Sequence, residues 1–370
     1  MRVLSQVSIA FFSWLLFPTI AQQGASSAQV TPPDKRPVTP GPRADRRITL
    51  DVVVTDRSEN PVPGLQQQDF TILDNKNPQK ILFFSAHDQS NTAAGRPLQV
   101  ILVVDEVNSW FERVSYQRLQ LEKFLRKDSG KLPMPMSLVI LTDTSAGQSV
   151  TTSDGNRLAD SLKSKEPGLR PIGRDQGVYG AEERGQISTQ ILKTIASYKA
   201  TQPGRKLLIW LGPGWPIIEG PVGMLGEKSQ ETLFQQVVRL STALREARVT
   251  LYNIDDTGSP VQGFYYGSFL EGVPSANRAR IGNLALKVLA TQSGGRVLFS
   301  GNDIVSSIAG CLGDTKAFYT LSFDSPVAEH PNEYHRLQVK IGKRGLTGRT
   351  RTGYYAQPQK SPNRDYSLEE

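Results

Sequence analysis

The strongest signal in the hydrophobic pattern is the run Val100-Ile101-Leu102-Val103-Val104, which ends abruptly at Asp105. A continuous apolar run rich in β-branched residues predicts a strand buried on both faces, the centre of a parallel sheet. Further strands are expected over 138–141, 206–211, 249–254 and 296–300, with a short edge strand over 149–151. Between them apolar residues recur at helical spacing: Val114, Leu119, Leu121, Phe124 and Leu125, then Ile187, Ile191, Leu192, Ile195 and Tyr198. Such spacing predicts amphipathic helices over 114–126 and 187–199. Helices are also expected over 154–163, with Asp154 as N-cap, over 233–247 and 281–291, and from Asn302 or Asp303 to about 312. Alternating strands and helices build an α/β fold, a doubly wound, mostly parallel sheet with helices on both faces. Ligands of such sheets bind beyond the carboxyl ends of the strands. Asp105, Asn108 and Ser109 stand at that position.

The pattern changes on both sides of this region. Strands are expected over 48–55, 69–74 and 79–84, separated by turn chemistry at Asn60-Pro61, Pro63-Gly64 and 75–78. After the last helix, 317–323 alternates cleanly, 334–341 follows, and 346–355 closes a hairpin through Lys343-Arg344-Gly345. Each flank offers three strands, whereas two packed sheets take about seven. One composite β-sandwich is therefore predicted, built from 47–87 and 316–356, with the α/β domain, 88–315, inserted into it. Val52, Val54, Phe70 and Ile72 should meet Tyr319, Leu321, Leu337 and Val339 in its core.

The stretch 98–109, LQVILVVDEVNS, resembles the first strand of a von Willebrand factor type A (vWA) domain, which ends in Asp-x-Ser-x-Ser; the matching residues are Asp105, Val107 and Ser109. Four motifs in all carry the resemblance. They are Val52-x-Val54-x-Asp56 with Pro61-Val62-Pro63-Gly64-Leu65 and Asp69-Phe70; the strand-end Asp105; Ser293-Gly294-Gly295-Arg296; and Phe318-Tyr319, Tyr334-His335-Arg336 and Arg351-Thr352-Gly353-Tyr354-Tyr355. Together they are similar to exported vWA-domain proteins of the acidobacterial type. The resemblance implies a vWA domain flanked by β-structure, inserted much as integrin β-chains insert theirs.

It also implies a divalent metal held by oxygen ligands from three loops. Loop one keeps Asp105 and Ser109 but has apolar Val107, for which Asn108 or Glu106 would compensate only in an altered loop. Loop two should supply a Thr, for which Thr142, Thr144, Thr151 and Thr152 are candidates. Loop three should supply an Asp, yet reads Gly212-Pro213-Gly214. A degenerate site without cofactor is expected, with Asp105 ordering its own loop. The alternative is Mg²⁺ or Ca²⁺ bound weakly through Asp105, Asp143 and Asp255, each beyond the end of a predicted strand.

Composition narrows the chemistry. Over 370 residues, 38% hydrophobic and 21% charged content is that of an ordinary globular chain. The net charge of +8 has no single basic stripe behind it. The densest cluster, Lys340, Lys343, Arg344, Arg349 and Arg351, reads as a solvated face, so nucleic acid is not an expected partner. Arg2, the apolar stretch 9–20 and Thr19-Ile20-Ala21 predict an export signal, 1–21, cleaved after Ala21. A Pro- and Gln-rich linker, 22–46, follows, and 357–370 is a polar tail. No other stretch is long enough to span a bilayer, so a periplasmic or secreted protein is expected. The one cysteine, Cys311, excludes an intramolecular disulfide and reads as a buried helix thiol. His87, His330 and His335 read as surface residues, and no nucleophile or nucleotide-loop motif is present. The expected function is non-catalytic interaction with a protein partner. Its anchors would be the aromatics after strand ends: Trp110, Phe111, Trp215, Phe264, Tyr265 and Tyr266. The alternatives are a metal-dependent adhesion protein or a metal-dependent hydrolase using Asp105.

Overall fold

The computed structural model describes residues 46–88, 98–143, 146–165, 177–215, 226–257 and 266–358. The expected signal segment, nearly all of the linker and most of the tail lie outside them, as do Thr144, Phe264 and Tyr265. Among the described residues no helix is long and apolar enough to cross a membrane.

The chain first lays down four strands: β1 (Arg47–Thr55), β2 (Phe70–Asp74), β3 (Asn77–Gln79) and β4 (Phe83–Asp88). The α/β region then runs β5 (Gln99–Asp105), α1 (Phe111–Arg126), β6 (Lys131–Leu141), β7 (Ala146–Gln148), β8 (Thr152–Asp154), α2 (Gly155–Lys163), α3 (Gly177–Ala200), β9 (Lys206–Leu211), α4 (Glu227–Glu246), β10 (Val249–Asp255), α5 (Leu286–Gln292), β11 (Val297–Phe299) and α6 (Ile304–Gly313). Four strands complete the fold: β12 (Ala317–Asp324), β13 (Glu333–Ile341), β14 (Thr347–Arg349) and β15 (Gly353–Ala356).

The seven-stranded sheet has the order β11-β10-β9-β5-β6-β7, with β8 also pairing to β6. β5, β6, β9, β10 and β11 are parallel, and β7 and β8 are antiparallel to β6. This is a doubly wound order whose direction of winding reverses between β5 and β9. The fold is vWA-like. Alternate residues of β5 serve opposite cores, as the two-residue period of a strand requires. Val100, Leu102 and Val104 pack against Leu121 and Leu125 of α1, Leu158 of α2 and Ile308 of α6. Ile101 and Val103 pack against Leu192 of α3, Leu240 of α4 and Leu289 of α5. Asp154 caps α2 as expected, its side chain accepting from the Arg157 amide. Cys311 is buried in the first core, and burial pushes its thiol up to about 12.

The two flanks interleave. One sheet has the order β14-β1-β12-β4 and the other β15-β13-β2-β3, so each mixes strands from before and after the inserted domain. Leu50 lies opposite Leu321, and Ile72 opposite Val339. Val52, Val54, Phe70, Ile72, Tyr319, Leu321, Leu337 and Val339 share one core, as the alternation predicts.

Four details differ from expectation. The third N-terminal strand is two, β3 and β4, in different sheets. The last strand is also two. β14 pairs with β1 and β15 with β13, because the chain turns a corner of the sandwich between them. His335 is a core residue, only 3% exposed. Its Nδ1 lies 2.8 Å from Asp74 Oδ1, and the Tyr354 hydroxyl donates to Asp74 Oδ2 at 2.6 Å. Finally, two members of the basic cluster face inward. Arg351 is buried, and Arg349 binds Asp314 and the Gly294 carbonyl. Asp314 also accepts from the Tyr252 hydroxyl within the α/β domain, and the Arg349 contacts, with Arg248 on Asp51 and Thr320, join that domain to the sandwich.

Candidate functional site

Asp105 ends β5 next to the point where the winding of the sheet reverses, and its side chain is completely buried. Both carboxylate oxygens are occupied by N–H donors of the chain itself. Oδ1 accepts from the amides of Val107 at 3.1 Å and Asn108 at 3.0 Å. This is the Asx-turn geometry open to an Asp at the end of a strand. Oδ2 accepts from the Asn108 side-chain amide at 2.8 Å and the Trp210 indole of β9 at 2.9 Å. Burial raises the carboxyl above its usual range, and the four donors oppose that shift.

The network extends to every neighbouring element. The second hydrogen of the Asn108 amide reaches Ser188 Oγ of α3 at 2.9 Å. Gln117 of α1 donates to Ser109 Oγ at 3.2 Å and to Asp256 Oδ2, beyond β10, at 3.1 Å. Arg113 donates to the Asp256 carbonyl, and Arg118 pairs with buried Glu106. Asp255 is held by Lys287 at 2.7 Å and by Thr257. Loop three closes over the top. Gly212 has φ of +131°, and a Cβ there would stand 3.1 Å from both Asp105 Cβ and Ser109 Oγ. A carboxylate in place of Gly212 would be strained in its backbone and crowded against both residues.

This arrangement does not fit a divalent cation at Asp105. A hard cation needs oxygen lone pairs, typically six or more including water, and the Asp105 pairs face four N–H groups instead. Val107 is buried and apolar. Of the loop-two candidates, Thr142 is half-buried, Thr151 is exposed and Thr152 belongs to β8. Three buried acceptors, Asn108 Oδ1, Gln117 Oε1 and Asp256 Oδ1, have no partner among the described residues. Two neutral amides and one carboxylate oxygen are suited to ordered water and fall short of the charge a Mg²⁺ or Ca²⁺ site collects. Among the described residues no three His, Cys, Asp or Glu side chains are grouped to share an ion.

The aromatics divide sharply. Trp110 and Phe111 are 61% and 51% exposed at the start of α1. Trp215, expected as an anchor, is only 6% exposed. Its indole donates to the Leu284 carbonyl at 2.6 Å and meets Trp210 edge-on, with ring centroids 5.5 Å apart. It packs loop three into the core because Gly214, at φ of +71°, lets the backbone press against Leu286. Tyr266 is half-buried against the cluster of Phe269, Ala285 and Val288. The residues that sequence reasoning missed are Trp210, Gln117, Ser188 and Asp256. An Asp at the end of a strand was the one available signal, since its side chain can close an Asx turn onto the amides that follow.

No family model matches this sequence, and neither does any curated protein. Solved structures with similar folds include an aerotolerance-related membrane protein from Bacteroides fragilis at 11% identity, covering 59% of this chain and 98% of that one with a TM-score of 0.34. The pilus adhesin SpaC from Lactobacillus rhamnosus is 6% identical over 80% of this chain and 49% of its own, TM-score 0.36. A von Willebrand factor type A protein from Catenulispora acidiphila is 10% identical over 85% and 75%, TM-score 0.27. The assignment of a vWA-like fold stands on the strand order and register given above.

Proposed function

We propose that this chain is an exported, non-catalytic interaction module of the acidobacterial vWA type. It engages a protein partner through the loops at the carboxyl end of its parallel sheet, without a metal. The observation that carries this reading is a contrast between neighbours. Asp105, the residue a metal would need, is closed in by four donors of its own chain, while Trp110 and Phe111 expose more than half of their surface a few residues later. Exposed aromatics beside a rigid loop are the side chains that anchor interfaces, because they bring large area at low entropic cost. A non-catalytic role is supported by the histidines. His87 reaches the hydroxyl of Thr320, which is itself fully buried, and His335 is enclosed with Asp74 and Tyr354. Export is supported by the N-terminal sequence pattern.

The test is capture from a cell-envelope extract on the immobilised full chain in EDTA. The captured protein is then identified, purified and titrated. Binding in EDTA should equal binding in Mg²⁺, and the double variant Trp110→Ala/Phe111→Ala should weaken it by about tenfold or more. Affinity that requires Mg²⁺, or that survives the double variant, overturns the proposal.

A further inference from the structure

The corner where the last strand leaves one sheet of the sandwich for the other carries the motif Arg351-Thr352-Gly353, and it abuts the inserted domain. A cavity of about 20 Å³ lies there, lined by Ser241 of α4, Gln292 of α5, Tyr334 of β13, and Arg351 and Thr352, among others. Arg351 is only 7% exposed; its guanidinium makes no hydrogen bond or ion pair among the described residues, and its nitrogens keep a narrow contact with solvent through the cavity. Thr352 Oγ1, also buried, likewise lacks a partner among them. Arg245, next to the cavity-lining Leu244, adds a second guanidinium whose buried Nε is unpartnered.

The nearby carboxylates are already committed. Asp51 is held by Arg248 through both oxygens and by Thr320. Asp314 takes Tyr252 and Arg349. Glu246 meets Arg245 at 3.2 Å but from an exposed position. The seam therefore buries more positive than negative charge. Desolvation, and then the repulsion of Arg245, lower the Arg351 guanidinium to about 9, which still leaves it charged at neutral pH. A charge so largely removed from water, with no protein counter-ion, favours an anion from solution.

We propose that this seam binds one small monovalent anion of the chloride class, held by the Arg351 guanidinium and the Thr352 hydroxyl, with Arg245 adding to the positive field. The size of the cavity sets the class. About 10–15 Å³ accommodates one water-sized body, so the space beside Arg351 and Thr352 suits a single small monatomic anion. The anion would lock the inserted domain onto the sandwich, because Ser241 and Gln292 belong to the first and Arg351 and Thr352 to the second. This inference is independent of the proposed partner surface.

The experiment is thermal unfolding of the full chain in sodium gluconate progressively replaced by sodium chloride or bromide at constant ionic strength. A ligand that binds only the native state raises Tm in a concentration-dependent way, so Tm should climb and then saturate with either halide. Arg351→Met, which removes the charge at similar length, should abolish the halide response. Ser241→Leu, which fills the cavity and leaves every charge in place, should do the same, and it decides the matter alone if Arg351→Met does not fold. Equal Tm in chloride and gluconate for the unmodified chain overturns the proposal, as does a halide response undiminished in Ser241→Leu.

Discussion

Asp105→Asn tests whether the loops are locked by hydrogen bonds of the chain itself. The substitution preserves shape but replaces one acceptor oxygen with an NH₂ group. Both oxygen positions face pairs of N–H donors. Whichever way the new amide turns, two donors lose their acceptor and two N–H groups are brought against N–H groups. A hydrogen bond to a charged group contributes about 1.5–3 kcal/mol, so the gross loss is about 3–6 kcal/mol. Relief from burying the charge, which holds the Asp105 carboxyl above its usual range, offsets part of that loss. The expected net destabilisation is about 3 kcal/mol. Urea unfolding followed by tryptophan fluorescence is the assay, since the Trp210 indole is one of the four donors, with the change read from the midpoint at constant m. A change within about 0.5 kcal/mol, the range of an uneventful surface substitution, would show that these hydrogen bonds do not lock the loop. So would a saturating stabilisation of the unmodified chain by Mg²⁺ that Asp105→Asn lacks, because the carboxylate would then be serving a cation.

Trp215→Ala should destabilise the chain by about 3–5 kcal/mol, as deletion of a buried aromatic does, while Trp110→Ala should leave the unfolding midpoint within about 0.5 kcal/mol; similar losses for both would place the two indoles in the same environment. The hydrogen bond to Asp74 is the main cause that raises His335 above its ordinary value, against the opposing effect of burial. A raised folded-state value contributes stability that is complete below the unfolded value of about 6.5 and is lost as pH rises through the folded one. The difference in unfolding free energy between the unmodified chain and His335→Gln should therefore shrink as pH rises above about 6.5, and a difference that is flat or grows over that window refutes the assignment. A chain ending at Leu312 lacks β12 to β15, the partners of β1, β2 and β4, so limited proteolysis should cut within 47–88 while sparing the α/β region; protected N-terminal strands would show that they do not need the C-terminal flank.

How legible each part was follows from the physics of each segment. β5 was plain because a strand buried on both faces leaves an uninterrupted apolar run. The composite sandwich was plain because three strands cannot make a two-layer core, which forces the flanks together. His335 was misread, although parity offered a signal: it shares its face with Leu337 and Val339, as Asp74 does with Phe70 and Ile72. Only the pairing of β2 with β13 shows that the two polar residues satisfy one another. Trp215 had no signal, since an aromatic beyond a strand end looks the same in sequence whether it turns inward or outward. The Trp210 bond to Asp105 was equally hidden, because it joins residues of two strands whose adjacency only the sheet order reveals. The fate of Arg349 and Arg351 depended on the corner between β14 and β15, and a hairpin reading places no corner there.

The interleaving of the flanks also sets a clock on folding. β12 lies between β1 and β4, so those strands, complete by Asp88, have no neighbour until Ala317 has been made. About 230 residues separate the two, and synthesis at about 5–20 residues per second puts on the order of 10–50 s between them. For that interval the first strands are unpaired edges, the kind of surface that recruits other chains. The inserted domain is contiguous in sequence and can close its core before the flank that completes the sandwich exists. The sandwich is thus the last part to assemble, and a chaperone that holds 47–88 extended during this delay would protect the fold more than one acting on the larger domain.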